Sequence, residues 1–222
     1  MTLQIAIGNP LDKSSDRMVA DLSVQRHLTV LGRPDDVRDG LLQAIVFQFL
    51  MADGAAWTVA PKNGSDMSLV ARHFQRAARG AHASERAIEK LHGVVGKREK
   101  AASGGGWWKR LSGEAKPLAV IVHDEGWEDD ELSESRALLA EVVARGPQVG
   151  VHLVVDAAEP SLLTDSIGGG AGSIVLRGKF QQPREWHPLG GAMAEFEFSG
   201  YEVAELSEVL RKRFPDESHL GN

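Results

Sequence analysis

Short apolar runs alternate with longer amphipathic stretches along most of the chain. "LQIAIG" (3–8) alternates and stops at Gly8, Asn9 and Pro10, predicting a strand and a turn. "HLTVLG" (27–32) predicts a second strand. From Gly40 onward Leu41, Leu42, Ile45, Val46, Phe49 and Leu50 recur at helical spacing, and Asp53 and Gly54 close the helix. "AAWTVAP" (55–61) predicts a strand ended by Pro61 and the turn-forming "KNGSD". Residues 66–100 carry Leu69, Val70, Phe74, Ile88, Leu91, Val94 and Val95 among many Arg and Lys, and predict two helices broken near Gly80.

The second half repeats the alternation. "PLAVIVHDE" (117–125) is a continuous apolar run ending in acids, the pattern of a central strand covered on both faces. "ELSESRALLAEVVARG" predicts a helix burying Leu132, Leu138, Leu139, Val142 and Val143, and "VGVHLVVDA" (149–157) predicts a further central strand. After "IGGGAG" the pattern predicts a strand "SIVLRG", a turn "QQPREWHPLGG", a short "AEFEFSG" and a C-terminal helix "GYEVAELSEVLRKRF". Strands separated by segments too long for hairpins predict an α/β fold of three layers, a mostly parallel sheet with helices on both faces. Ligands of such sheets bind beyond the carboxyl ends of the strands. Residues 32–39, 123–127 and 156–161 then share one rim. The expected organisation is a single domain over residues 1–222, with "ASGGGWWKRLSGEAKP" (102–117) as a Gly/Trp-rich flexible excursion.

Composition narrows the function classes. The 222 residues are 42% hydrophobic and 25% charged, ordinary for a globular protein. A formal net charge of −6 counts against sequence-independent DNA binding, which needs a basic surface. Cysteine is absent, which excludes disulfides, thiolate metal sites and cysteine nucleophiles and fits a reducing compartment. No run approaches the roughly 18 apolar residues of a membrane span, and the N-terminus lacks a secretory signal pattern. The expectation is a cytoplasmic protein without direct membrane insertion, reaching the inner face of a membrane only through a partner or a further N-terminal region.

The chemistry concentrates in "GRPDDVRD" (32–39), between a strand and a helix. A phosphate loop reads G-x-x-x-x-G-K-[ST]. With Gly32 as its first glycine, Val37, Arg38 and Asp39 stand at the places of the second glycine, the lysine and the magnesium-binding hydroxyl. A β-branched valine resists the backbone conformation that turns amides onto phosphate, and Pro34 removes one N–H. Arg33, Asp35, Asp36, Arg38 and Asp39 sum to minus one. At an effective dielectric near 20, charges about 4 Å apart interact by roughly 4 kcal/mol, so one carboxylate offsets much of what Arg38 supplies. Asp39 could hold magnesium in place of a hydroxyl, so nucleotide binding is disfavoured rather than excluded. The same eight residues also read as a plain turn and helix start, with aspartates at the positive end of the dipole.

Asp124 and Glu125 fit the second element of a nucleotide site, where an Asp orders the magnesium shell and a Glu activates water. They read equally as a solvated acidic strand end continuing into "GWEDDE". Metal binding by Asp124, Glu125, Asp129, Asp130 and Glu131 is the weaker alternative, because the last three begin the next helix.

Four motifs in order resemble the FtsK/SpoIIIE-type translocating ATPases, P-loop proteins of RecA/FtsK-like fold that include the tandem motor domains of type VII secretion. "RHLTVLG" through "LLQAIVFQFL" is similar to the family's strand, phosphate loop and helix, and "WTVAPKNGSDMSLV" to its I-D-P-K-x-x-E-L segment. "PLAVIVHDE" is similar to the strand bearing D-E. "ARGPQVGVHLVVDAAEPS" (144–161) is similar to R-x-x-G-I-H-L-x-x-A-T-Q-R-P-S, with Gly150, His152, Leu153, Pro160 and Ser161 in register. The family's T-Q-R becomes Ala157, Ala158 and Glu159, which removes the polar sensor and replaces a cation with an acid.

The resemblance implies a pseudo-ATPase, a docking, regulatory or substrate-recognition module of a secretion or translocation motor. Its vestigial nucleotide site would comprise Gly32, Arg38, Asp39 and Asp124, with Glu125 catalytic only if the site is active. ATP and Mg²⁺ are not expected as cofactors. The implied partners are homologous motor domains or subunits and a helical secreted substrate. A divergent active ATPase using Arg38 in place of lysine is one alternative, and a DNA-translocation module is another, less favoured by charge.

His152, inside a predicted core strand, reads as a hydrogen-bonded packing residue, whereas His123 could face either side. Trp107 and Trp108 are either loop anchors or a partner-binding pair. "VGKREKAA" with "WWKRL" reads as a solvated helix face before a nucleic-acid contact.

Overall fold

The computed structural model describes residues 3–11, 18–33, 36–65, 67–68, 70–103, 116–168, 171–176, 184–197, 208–209 and 212. The strands are β1 (Gln4–Pro10), β2 (Met18–Asp21), β3 (His27–Leu31), β4 (Ala55–Ala60) and β5 (Arg76–Arg79), then β6 (Leu118–His123), β7 (Val151–Ala157), β8 (Ala171–Val175), β9 (Arg184–His187) and β10 (Ala194–Glu197). The helices are α1 (Leu22–Gln25), α2 (Asp36–Met51), α3 (Ala81–Ser103), α4 (Ser133–Arg145) and α5 (Leu162–Gly168).

The strands form a mixed sheet in the order β2-β1-β10-β9-β8-β3-β7-β6-β4-β5. From β8 to β5 every pairing is parallel, and β9, β10, β1 and β2 extend the sheet antiparallel. The α/β architecture and the parallel centre are therefore as the hydrophobic pattern predicts.

Successive residues of the central strands serve opposite faces. On β6, Ala119 and Ile121 join the core beneath α2, whereas Leu118, Val120 and Val122 join the core beneath α3, α4 and α5. Covering both faces explains why the run is continuously apolar rather than alternating. Helix α2 buries Leu41, Leu42, Ile45, Val46, Phe47, Phe49 and Leu50, more than a single stripe. The antiparallel extension closes over it: Gln48 accepts from the Ala6 amide at 2.7 Å and donates to the Ala6 carbonyl at 3.0 Å.

The structure corrects three local expectations. Residues 66–100 are not two helices: a 3₁₀ turn at Ala71–His73 leads into β5, and one helix, α3, follows Gly80. "RAAR" has helix-favouring composition, but parallel pairing with β4 captures it as a charged edge strand. The expected turn "QQPREWHPLGG" contains β9, because Trp186 is buried against Gly172 of β8, where a Cβ would lie 2.2 Å from the indole. The strand expected from residue 149 begins at Val151, after a 3₁₀ turn over Gly146–Val149 that ends at Gly150 with φ +70. Most of the expected C-terminal helix, and of the 102–117 excursion with Trp107 and Trp108, lies outside the described residues.

Candidate functional site

Strand β3 ends at Leu31, and Gly32, the next residue, sits against the end of β8. A Cβ there would lie 2.8 Å from the Leu176 Cβ and 3.0 Å from its carbonyl oxygen, so only glycine allows this approach. The chain then enters α2, and the first turn of that helix carries Arg38 back under the strand ends.

Arg38 is buried, with 6% of its surface exposed. Its guanidinium donates to the Gly32 carbonyl and to Ser65 Oγ, at 3.1 Å from Nη2. It pairs with Asp156, Nε to Oδ1 at 2.8 Å and Nη2 to Oδ2 at 3.3 Å. Asp156 is itself 2% exposed and lies on β7, between β3 and β6.

Asp156 is the centre of a wider network. Its Oδ2 accepts from Ser65 Oγ at 2.6 Å and from His123 Nδ1 at 2.7 Å. Nε2 of His123 lies 3.1 Å from Thr58 Oγ1. Gly64 lies flat against the imidazole, where a Cβ would be 2.8 Å from Cδ2. The main-chain carbonyl of Asp156 accepts from the Asp124 amide at 2.9 Å. One carboxylate thus joins the loop after β3, the loop after β4 and the ends of β6 and β7.

The other predicted residues occupy the same rim. Asp39 is half-buried on α2. Asp124 accepts from Ser161 Oγ at 2.6 Å. Burial raises its carboxyl above the usual carboxylate range, the Ser161 bond opposes this, and the negative charges of Glu128 and Asp156 add to the rise. Glu125 is exposed and accepts from Asn63 Nδ2 at 3.1 Å through both oxygens. Ala158 and Glu159, at two of the T-Q-R positions, are exposed. The structure therefore joins Gly32 to Arg38 directly and brings Asp124 to them through Asp156, while Glu125 turns toward Asn63. No group of His, Asp and Glu among the described residues has the geometry of a metal site.

His152 is a packing residue, as expected: Nδ1 donates to the Arg26 carbonyl at 2.6 Å, and burial lowers its pKa. His27 accepts from the Leu153 amide at Nδ1 (3.0 Å) and donates from Nε2 to the Val143 carbonyl (2.8 Å). Burial pushes it down to about 4.

No family model and no curated protein matches the sequence. Solved structures do match. The conjugation coupling protein TcpA of pCW3, in its monomer form with ATPγS, superposes with a TM-score of 0.73 at 16% identity, over 96% of this chain and 71% of that one. Thermomonospora curvata EccC (ATPases 2 and 3) in complex with a signal sequence peptide gives 0.69 at 16%, over 96% and 48%. The cytoplasmic domain of the T. curvata type VII secretion ATPase EccC gives 0.67 at 17%, over 90% and 26%. The chain has the fold of an FtsK/SpoIIIE-type motor domain. It spans about a quarter to a half of the two EccC chains.

Within the motor fold, Asp156 is the residue that sequence reasoning missed. The family pattern R-x-x-G-I-H-L-x-x-A-T-Q-R-P-S has alanine at its place. An acid inside the buried run "VHLVVDA" is itself a signal, since a buried carboxylate requires a partner. Ser65 and Thr58 gave no such signal.

Arg38 points inward, committed to Asp156 and to the Gly32 carbonyl. Turning Arg38 outward would take the cation from the buried Asp156 carboxylate and leave it only the Ser65 and His123 bonds, a cost of several kcal/mol. Together with Asp156, the charges of the loop sum to minus two.

Proposed function

We propose that this chain is a degenerate FtsK/SpoIIIE-like domain, a pseudo-ATPase that serves as a docking, regulatory or substrate-recognition module of a secretion or translocation motor. The observation that carries this reading is the Arg38–Asp156 pair. The side chain at the place of the phosphate-binding lysine is spent on an internal carboxylate at 2.8 Å. A motor fold retained without its phosphate cradle keeps shape and surface, which suits it to partner binding.

The partners that follow are homologous motor domains or subunits and a helical secreted substrate. In support, one structure of similar fold contains two ATPase domains with a signal sequence peptide. DNA is disfavoured by the net charge of −6. A cytoplasmic placement agrees with the absence, among the described residues, of a helix long and apolar enough to cross a membrane. It agrees also with the cytoplasmic domains among the similar structures.

The rival reading, a divergent active ATPase, draws on Asp124, which keeps its place at the strand end with Ser161 behind it. Calorimetric titration with ATP and Mg²⁺ separates the two. The parent is expected to give no binding heat, and the variant Val37→Gly, Arg38→Lys, Asp39→Thr, Asp156→Ala is expected to bind. Micromolar binding by the parent would establish the rival.

A further inference from the structure

A cavity of about 220 Å³ lies beside β4 and β5, lined by residues of the segment that joins them, and meets the Asp156 network at Ser65 and His123. None of Gly32, Arg38, Asp39, Asp124 or Glu125 lines it. The parallel register places its walls. Thr58 pairs with Ala77, and Ala60 with Arg79, while His123 follows Val122, the partner of Val59. Thr58, Ala77, Arg79 and His123 therefore share the sheet face that packs under α2.

Three features make this a prepared site. First, its inner wall is polar and buried: Thr58 is 7% exposed and His123 3%. Nδ1 of His123 donates to Asp156, and its Nε2 bonds Thr58 Oγ1 at 3.1 Å, which fixes both side chains in the cavity wall. Second, the covering loop is clamped. Ser65 Oγ donates to Asp156 at 2.6 Å, Asn63 is held by Glu125, and Lys62 by Glu128 at 3.1 Å. Little ordering is left to oppose binding. Third, the cations at the mouth differ. Lys62 is already neutralised by Glu128 and Asp129, whereas Arg79 is exposed and has no acidic partner among the described residues. Met67 and Phe74 supply an apolar wall opposite these polar groups.

A guanidinium with no acidic partner among the described residues, on the lining of a cavity, calls for an oxyanion, which Arg binds in a fork. The apolar wall calls for a hydrophobic body, and the volume limits it to a single small group. We infer that this cavity binds a small molecule or terminal group with an oxyanion head, a carboxylate or phosphate monoester, on a short apolar body. The inference does not depend on whether the Gly32–Arg38 site takes nucleotide.

Thermal denaturation and calorimetry with phenylacetate, phenyl phosphate and neutral benzyl alcohol, at matched ionic strength, test it. One or both anions should raise the unfolding midpoint by about 2 °C or more when present well above Kd, and which of them does so distinguishes the two heads. Arg79→Gln should weaken binding at least about tenfold, the loss of one charge-assisted contact, while Arg86→Gln, on the exposed face of α3, should leave it intact. No response to either anion, an equal response to benzyl alcohol, or unchanged affinity in Arg79→Gln would overturn the inference and leave a water-filled cavity.

Discussion

Arg38 and Asp156 are 118 positions apart in sequence and form a buried ion pair, Nε to Oδ1 at 2.8 Å, that ties the first turn of α2 to the end of β7. On the motif resemblance, the arginine stands at a lysine position and the aspartate at an alanine position, and each neutralises the other. Either one alone would leave a buried charge.

Asp156→Ala, which leaves the guanidinium of Arg38 without its carboxylate, should destabilise the fold by about 3 to 5 kcal/mol. The double variant Arg38→Leu, Asp156→Leu should recover most of this, because a packed apolar pair avoids the desolvation of both ions. Urea denaturation of the two variants and the parent reads the difference. Equal stability of single and double variants would show that the pair is not coupled.

Stability should fall with acid through His27. Its folded pKa of about 4 lies below the ordinary 6.5, so the unfolded chain takes up a proton that the native state refuses. The contribution is complete above pH 6.5 and is lost as pH falls toward 4, about 3 kcal/mol over that window. His152, also lowered by burial, acts in the same direction. Urea midpoints between pH 7.5 and 4 test this, and His27→Gln, which keeps a donor for Val143, should flatten the slope.

Asp124 works with the opposite sign. A carboxyl raised by burial stabilises below its unfolded pKa and loses that contribution as pH rises through the folded value, so at pH 7 its charge is a burden. Asp124→Asn should therefore hold or raise stability at pH 7, since the amide oxygen can still accept from Ser161. Ser161→Ala should lower it. A clear loss in Asp124→Asn would mean that the charge itself is needed.

Gly64→Ala should disturb the rim without touching any charge. Its Cβ would meet the imidazole of His123 at 2.8 Å and push the ring from Asp156 and Thr58. Overpacking of this kind costs about 1 to 3 kcal/mol. The His123 resonances in an NMR spectrum should shift, and retention of the parental chemical shifts would refute the close packing.

Much of the fold was legible because burial is written locally. The run "LAVIVH" is apolar without alternation because both faces are covered, and that needs no knowledge of which helices cover it. Strand β5 was not legible: "RAAR" has no apolar signature, and only the open edge of β4 makes it a strand. Likewise Trp186 marks a strand only because Gly172 faces it across the pairing of β8 and β9.

The candidate site divides in the same way. The sequence by itself determined that Val37, Arg38 and Asp39 depart from the phosphate-loop pattern, since this is a matter of residue type at fixed spacing. It determined too that two acids end β6. Only the tertiary structure decided what Arg38 does instead. The order β3-β7-β6 places Asp156 between the loop and the acids, and a buried guanidinium takes whatever carboxylate the neighbouring strand provides. Periodicity reports which side of an element is dry, but the partner of a buried charge depends on which strands lie side by side, and that is set by the whole sheet.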